Sequence, residues 1–312
     1  MKIGVDVMGG DLAPDEILTG AILASKEISS ETKIVLIGKQ EAITESLTKQ
    51  GLTSSAFEII NAEEVIGMNE HPTKAVSSKP NSSIMKGFKA LAMKQIDVFS
   101  SAGNTGAMMV GAMFTIKPVE KIMRPAIAGF IPKVNNKYGV LLDVGANAEC
   151  KPEVLQQFAE LGSLFYQHVF NAPNVRVGLL SLGEEEEKGT QTIQQAHQLL
   201  KNNPKINFIG NVEGRDIFLD KADVIVCDGY AGNVVLKMAE SIYPILTEKG
   251  FKDPFLDLFN WKNVGGSPIL GVNGNVIIGH GSSDAHAIKN MILQSEIMAN
   301  SNITQKIIEA YA

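Results

Sequence analysis

Small, polar and glycine residues are concentrated in the strings Ser101-Ala102-Gly103-Asn104-Thr105-Gly106-Ala107, Asp228-Gly229-Tyr230-Ala231-Gly232-Asn233 and Gly279-His280-Gly281-Ser282-Ser283. Glycine lets backbone N–H groups come close to an oxyanion, and a helix starting just after such a turn aims the positive end of its dipole there. Repeated turns of this kind predict an anion site gathered along a sheet edge, where open α/β folds bind ligands. Asn104 is expected at a phosphate or acyl oxygen, with capping of the next helix as the bland alternative. Asn233 and Lys237, four residues apart, share a helix face. His280, between two glycines, has no local core around it and is expected to serve the site. Gly281, Ser282 and Ser283 add amides and hydroxyls.

Further strings extend this inventory. Asp6-Val7-Met8-Gly9-Gly10-Asp11-Leu12-Ala13-Pro14 reads as a strand end, a double-glycine turn and a helix start, with Asp11 open between helix cap and ligand contact. Leu141 to Asn147 ends another strand in Asp143, Gly145 and Asn147. In Ser181 to Gly189, four glutamates precede Lys188, which can hold a phosphate as a point charge or form an ion pair with Glu184. Gly210 to Asp216 offers Asn211 beside Glu213 and Arg215, which can pair with each other. Cys150 and Cys227 are too few for a disulfide framework or a thiolate metal cage, so they read as structural thiols in a reducing compartment. The chain lacks a Gly-x-Ser-x-Gly elbow and a local Cys–His signature.

These residues need a scaffold, and the pattern around them supplies one. Short aliphatic runs at Lys2–Asp6, Lys33–Ile37, Phe57–Ile60, Val98–Ser101, Gly139–Asp143, Arg176–Ser181, Asn207–Gly210, Asp223–Asp228 and Val276–Gly279 predict strands. Helical spacing appears at Pro14–Ser29, Ile84–Lys94, Pro152–Phe170, Thr190–Asn202 and Asp284–Tyr311. Alternation of this kind predicts an α/β/α layered fold with a mostly parallel sheet. Residues 1–312 are expected to form a single catalytic unit with room for two lobes around a cleft. Net charge of −6 argues against broad nucleic-acid binding, and no apolar stretch suits a signal peptide or a spanning helix, so the expected location is cytoplasmic.

Taken in order, Asp6–Pro14, Ser101–Ala107, Leu141–Asn147, Gly210–Asp216, Asp228–Asn233, Gly265-Gly266 with Leu270-Gly271, and His280–Ser283 resemble the phosphate acyltransferases of bacterial phospholipid synthesis, the PlsX type. The resemblance covers nearly the whole chain. It implies a fold similar to phosphotransacetylases and isocitrate or isopropylmalate dehydrogenases, and a homodimer. The implied reaction moves a fatty acyl group from acyl-acyl carrier protein to inorganic phosphate, ahead of a glycerol-phosphate acyltransferase; no cofactor is expected and no residue is assigned to a metal.

That chemistry needs a dianion nest, donors for an oxyanion and help for a leaving thiolate. Lys188, Asp228 and His280 are therefore the expected catalytic residues, with Asp228 orienting Lys188 or His280. Asp11, Asn104, Asn147, Asn211, Asn233, Lys237, Gly281, Ser282 and Ser283 are the expected substrate contacts.

The chain departs from the family pattern in two places. Before Asn81-Ser82-Ser83 only Lys79 remains to supply charge. Residues 237–264 form a shortened amphipathic insertion, with Asp253 as a cap and an apolar face of Phe255, Leu258 and Phe259. Its acidic charges favour dimer or lid packing over the membrane contact that the longer family hairpin implies, leaving at most a weak contact at the inner membrane face. Lys117, Lys121 and Arg124 are the candidate basic contacts for an acidic carrier protein. Competing readings are a phosphotransacetylase-like enzyme using coenzyme A thioesters, a metal-dependent β-decarboxylating dehydrogenase, and a non-catalytic docking partner for the carrier protein.

Overall fold

A computed structural model describes residues 1–312, with only the backbone described at position 54. In chain order the strands are β1 (Lys2–Asp6), β2 (Lys33–Gly38), β3 (Glu58–Asn61), β4 (Val98–Ser101), β5 (Ala126–Lys133), β6 (Lys137–Leu142), β7 (Arg176–Leu180), β8 (Asn207–Val212), β9 (Val224–Val226), β10 (Gly266–Leu270) and β11 (Asn275–Gly279). The chain divides into two compact units, Met1–Pro118 with Trp261–Asn300, and Val119–Asn260 with Ser301–Ala312.

In the first unit the strand order is β3-β2-β1-β4-β11-β10. All neighbours run parallel except β10, which is antiparallel to β11. Buried runs such as Ile3, Val5, Val35, Leu36, Val98 and Phe99 are what strands covered on both faces require. The helix Asp15–Ala24 lies so close to the helix Ala285–Asn300 that a Cβ on Gly20 would come within 2.5 Å of Ile288. The parallel arrangement brings the C-terminal ends of β1, β4 and β11 to one edge.

In the second unit the order is β5-β6-β9-β7-β8, with β6, β9, β7 and β8 parallel and β5 antiparallel to β6. The helix Pro152–Val169 buries Leu155, Phe158, Leu161 and Phe165, a stripe at three- and four-residue spacing. Pro152 takes its first turn, as the missing proline N–H allows. Here too the polar loops follow the C-terminal ends of parallel strands.

The structure differs from the sequence pattern in places with identifiable causes. Strands β5 and β10 were not expected; Pro132 and Pro268 lie inside them and cannot donate a ladder hydrogen bond, which hides the strand signal. The expected helix Asp284–Tyr311 breaks into Ala285–Asn300 and Ile303–Tyr311, because Asn302 adopts a left-handed φ of 58°. Pro14 precedes the helix Asp15–Ala24 instead of entering its first turn. Residues 237–248 continue the long helix Gly229–Glu248, and only single turns follow at Pro254–Asp257 and Trp261–Val264. Asp253 caps the first of these, accepting from Phe255 N at 2.8 Å. Phe259 is buried against Phe218, ring centroids 5.2 Å apart, with Phe255 edge-on to it at 5.3 Å.

Candidate active site

At the end of β1 the fully buried Asp6 carboxylate accepts from Met8 N at 3.0 Å and from Ser101 Oγ at 2.7 Å. Ser101 Oγ in turn accepts from Gly103 N at 3.0 Å, so the turns after β1 and β4 share one carboxylate. Burial pushes the Asp6 pKa up, while the hydrogen bonds from Ser101, Ser83, Met8 and Gly9 pull it back. Gly9 is required here: a Cβ would lie 2.5 Å from Asp6 Oδ2 and 2.8 Å from Gly103 N. The turn after β11 joins them through Asp11 N, which donates to Gly281 O at 2.8 Å.

His280 stands exposed on that turn. Its Nδ1 lies 2.9 Å from Ser282 Oγ and 3.3 Å from Ser282 N. A backbone N–H can only donate, so this network assigns the proton of the neutral ring to Nε2. The ring lies over Trp261 with centroids 4.5 Å apart at 33°. Ser283 Oγ donates to the His280 carbonyl at 2.6 Å, which fixes the backbone of the turn.

At the end of β6 the buried Asp143 accepts from Ile127 N at 2.9 Å, Ala146 N at 3.2 Å, Asn147 N at 2.6 Å and Asn147 Nδ2 at 3.0 Å. Burial pushes its pKa up and these donors oppose the shift. Asp228 caps the helix Gly229–Glu248 by accepting from Ala231 N at 2.8 Å, and Gly229 N donates to Asn147 O at 2.7 Å. The Cys150 thiol is pushed up to about 12, first by burial and then by the Asp143 and Asp228 charges; Cys227, fully buried, is also pushed up. A thiol held protonated in this way is a poor nucleophile.

Several expected ligand contacts are occupied within the fold. Asn104 caps the helix Thr105–Gly111 through Ala107 N at 3.0 Å, and its Nδ2 donates to the carbonyls of Gly67, Met68 and Glu70 at 3.0–3.2 Å. Asn147 Nδ2 is held by Pro125 O at 2.8 Å as well as by Asp143. Asn211 Oδ1 faces His197 Nδ1 at 2.9 Å while its Nδ2 donates to Glu185 O at 2.8 Å. Lys237 pairs with Glu240 at 2.7 Å. Lys79, expected to supply free charge, pairs with Glu70 at 2.5 Å and donates to Val65 O. Glu213 and Arg215 do pair.

Other expected groups face solvent, with His280 and Ser282 bonded to each other. Asp11, Lys188, Asn233, His280 and Ser282 are exposed. The pair Lys188–Glu184 does not form, because Glu184 pairs with Lys221 at 2.6 Å. Among the described residues no ion pair joins Lys188 to Asp228. Lys221 also sits 3.0 Å from Asp216, so its ammonium pairs with two of the three acids, Glu184, Glu213 and Asp216, whose oxygens come together. Trp261 beside His280 and the loop 67–70 gripped by Asn104 carried no signal in the local sequence, since both contacts join segments far apart in the chain.

Comparison with known proteins places this arrangement in a family. Residues 1–255 match the family model described as fatty acid synthesis protein. The phosphate acyltransferase of Dictyoglomus turgidum is 44% identical over 99% of this chain and 97% of its own length. That of Clostridium tetani is 39% identical over 99% of this chain and 97% of its own. Among solved structures, a phosphotransacetylase from Streptococcus pyogenes superposes with a TM-score of 0.70 at 18% identity, covering 96% of this chain and 94% of that one. At that identity the likeness speaks for the fold.

Proposed function

Because the chain belongs to the fatty acid synthesis protein family and, within it, to the phosphate acyltransferases, we propose that it transfers a fatty acyl group from acyl-acyl carrier protein to inorganic phosphate. The product is acyl-phosphate for phospholipid synthesis. The observation that carries this reading is the full-length 44% identity to a curated phosphate acyltransferase. The exposed polar side chains at the loop edges agree with it.

A phosphate oxygen attacks the thioester carbonyl carbon, the C–S bond breaks, and the proton of hydrogen phosphate ends on the carrier thiol. His280 donates a hydrogen bond from Nε2–H to the developing oxyanion or the leaving sulfur and keeps its proton, the sulfur being protonated by the hydrogen phosphate. Lys188 holds the phosphate as a point charge. Asp11, Asn233, Gly281, Ser282 and Ser283 complete the substrate contacts, while Asp228, Asn104, Asn147 and Asn211 act by shaping the loops. No covalent nucleophile is needed, consistent with thiols kept protonated by burial.

The same reading has the protein cytoplasmic and homodimeric, with weak contact at the membrane surface and delivery of product to a glycerol-phosphate acyltransferase. Among the described residues no helix is long and apolar enough to cross a membrane. The helix Gly229–Glu248 also exposes Tyr230, Val234, Met238 and Ile245 to a partner or surface. Lys121 and Arg124, exposed and without an ion pair among the described residues, suit an acidic carrier protein.

The test is release of carrier-protein thiol from palmitoyl-carrier protein with and without phosphate, beside palmitoyl and acetyl coenzyme A. Phosphate-dependent release favouring the carrier protein is expected. Preference for acetyl coenzyme A would transfer the chain to phosphotransacetylase chemistry, and no release with any donor would leave a docking role.

A further inference from the structure

Lys188 differs from the other lysines around it. Lys201 pairs with Glu186 at 2.5 Å and Lys221 with Glu184 at 2.6 Å, so two acids of the run before Lys188 are drawn away from it. Its own ammonium has no partner among the described residues. Its backbone, by contrast, is held at every polar atom. Lys188 N donates to Glu185 O at 3.1 Å, and Lys188 O accepts from Ser181 Oγ at 3.2 Å. The carbonyls on either side of it, Glu187 O and Gly189 O, both accept from one side-chain nitrogen, Gln194 Nε2, at 2.6 Å and 3.3 Å. Its stem runs across Gly183, where a Cβ would come 2.9 Å from Lys188 Cγ.

Gln194 lies on the helix Gln191–Lys201, one turn before the buried His197, whose partner Asn211 holds Glu185 O. A fixed backbone beneath a free, flexible ammonium is what a preorganised point charge requires: lysine loses much rotamer freedom on binding, and a loop that also moved would add to that cost.

We propose that Gln194 is a positioning residue for phosphate binding, acting by clamping the two carbonyls that flank Lys188. The inference rests on the reading above that Lys188 holds phosphate. It predicts a defect in phosphate KM, because what is lost is the placement of the ammonium and not a group that touches the acyl donor.

The experiment is a double-mutant cycle on the full-length enzyme, with inorganic phosphate and palmitoyl-carrier protein varied separately. Lys188→Met and Gln194→Ala are each expected to raise phosphate KM, Gln194→Ala by about tenfold. The double variant should be no worse than Lys188→Met alone. The KM for the acyl donor should stay within about twofold. Gln198→Ala is the control: Gln198 lies on the same helix and donates only to the Glu186 side chain, at 3.3 Å, so phosphate KM should not move.

If Lys188→Met leaves phosphate KM unchanged, the phosphate role of Lys188 falls, and the inference with it. If Lys188→Met raises it but Gln194→Ala does not, the clamp is overturned while that role stands. Additive effects in the double variant, or an equal defect in Gln198→Ala, would likewise overturn the clamp.

Discussion

The loop edge of the first unit and the loop edge of the second begin with the same device and expose different groups. Each has a buried aspartate at the end of a strand, Asp6 after β1 and Asp143 after β6, organising a turn that contains glycine. Asp6 shares its charge with a hydroxyl and with amides of its own turn, and the neighbouring turn after β11 presents an exposed imidazole. Asp143 takes donors from Ile127, Ala146 and Asn147, and the carboxamides nearby are used up on backbone carbonyls. Among the described site residues of the second unit, the ammonium of Lys188 and the carboxamide of Asn233 are exposed. The comparison teaches that the strand-aspartate-glycine signature marks scaffolding at both edges, while the proposed chemistry is assigned to exposed groups one step further out.

If that division holds, His280→Ala should lower kcat by about 10²–10³-fold, the usual worth of one oxyanion donor, with Tm nearly unchanged because the ring is exposed. Retained activity would break the comparison at its functional half. Asp143→Ala should act in the opposite way, costing at least about 3 kcal/mol by orphaning buried N–H donors, read as a lower urea midpoint. Stability close to wild type would mean that the carboxylate is not scaffolding.

Asn104→Ala is expected to cost about 1–2 kcal/mol through its lost helix cap. It should also speed proteolysis within residues 67–70, whose carbonyls it holds; unchanged proteolysis would show that the loop has another anchor. The smallest effect belongs to the paired charges at the opposite end of the second unit's strands. There Arg176 first, and Lys133 next, hold the Asp220 pKa down to about 2. A lowered carboxylate pKa stabilises the fold above the ordinary carboxylate range, and this is lost as pH falls towards 2. Asp220→Asn should thus lower stability by under about 1 kcal/mol at pH 7, with the difference from wild type shrinking on acidification. A difference that grew at low pH would contradict the assignment.

Much of the scaffold could be read from the chain because buried parallel strands are continuous aliphatic runs that end in polar turns: β1, β4 and β11 were found in that way. Strands β5 and β10 were hidden by prolines, and the break at Asn302 by an unbroken helical pattern. The site was only partly legible. A carboxamide in a glycine turn has the same sequence signature whether it faces a ligand or a carbonyl of its own chain. Asn104 and Asn211 turned inward because loop 67–70 and His197, distant in sequence, arrive beside them. The open state of Lys188 depended likewise on Lys201 and Lys221 taking the acids next to it.

The central claim, that phosphate accepts the acyl group, is tested most directly by incubating the enzyme with palmitoyl-carrier protein and radiolabelled phosphate and measuring label in the lipid-extractable fraction. The account predicts label that appears with wild-type enzyme, matches the thiol released, and falls by about 10²-fold or more in His280→Ala. Thiol release without label in the lipid fraction would mean that water or another acceptor takes the acyl group, and would contradict the account.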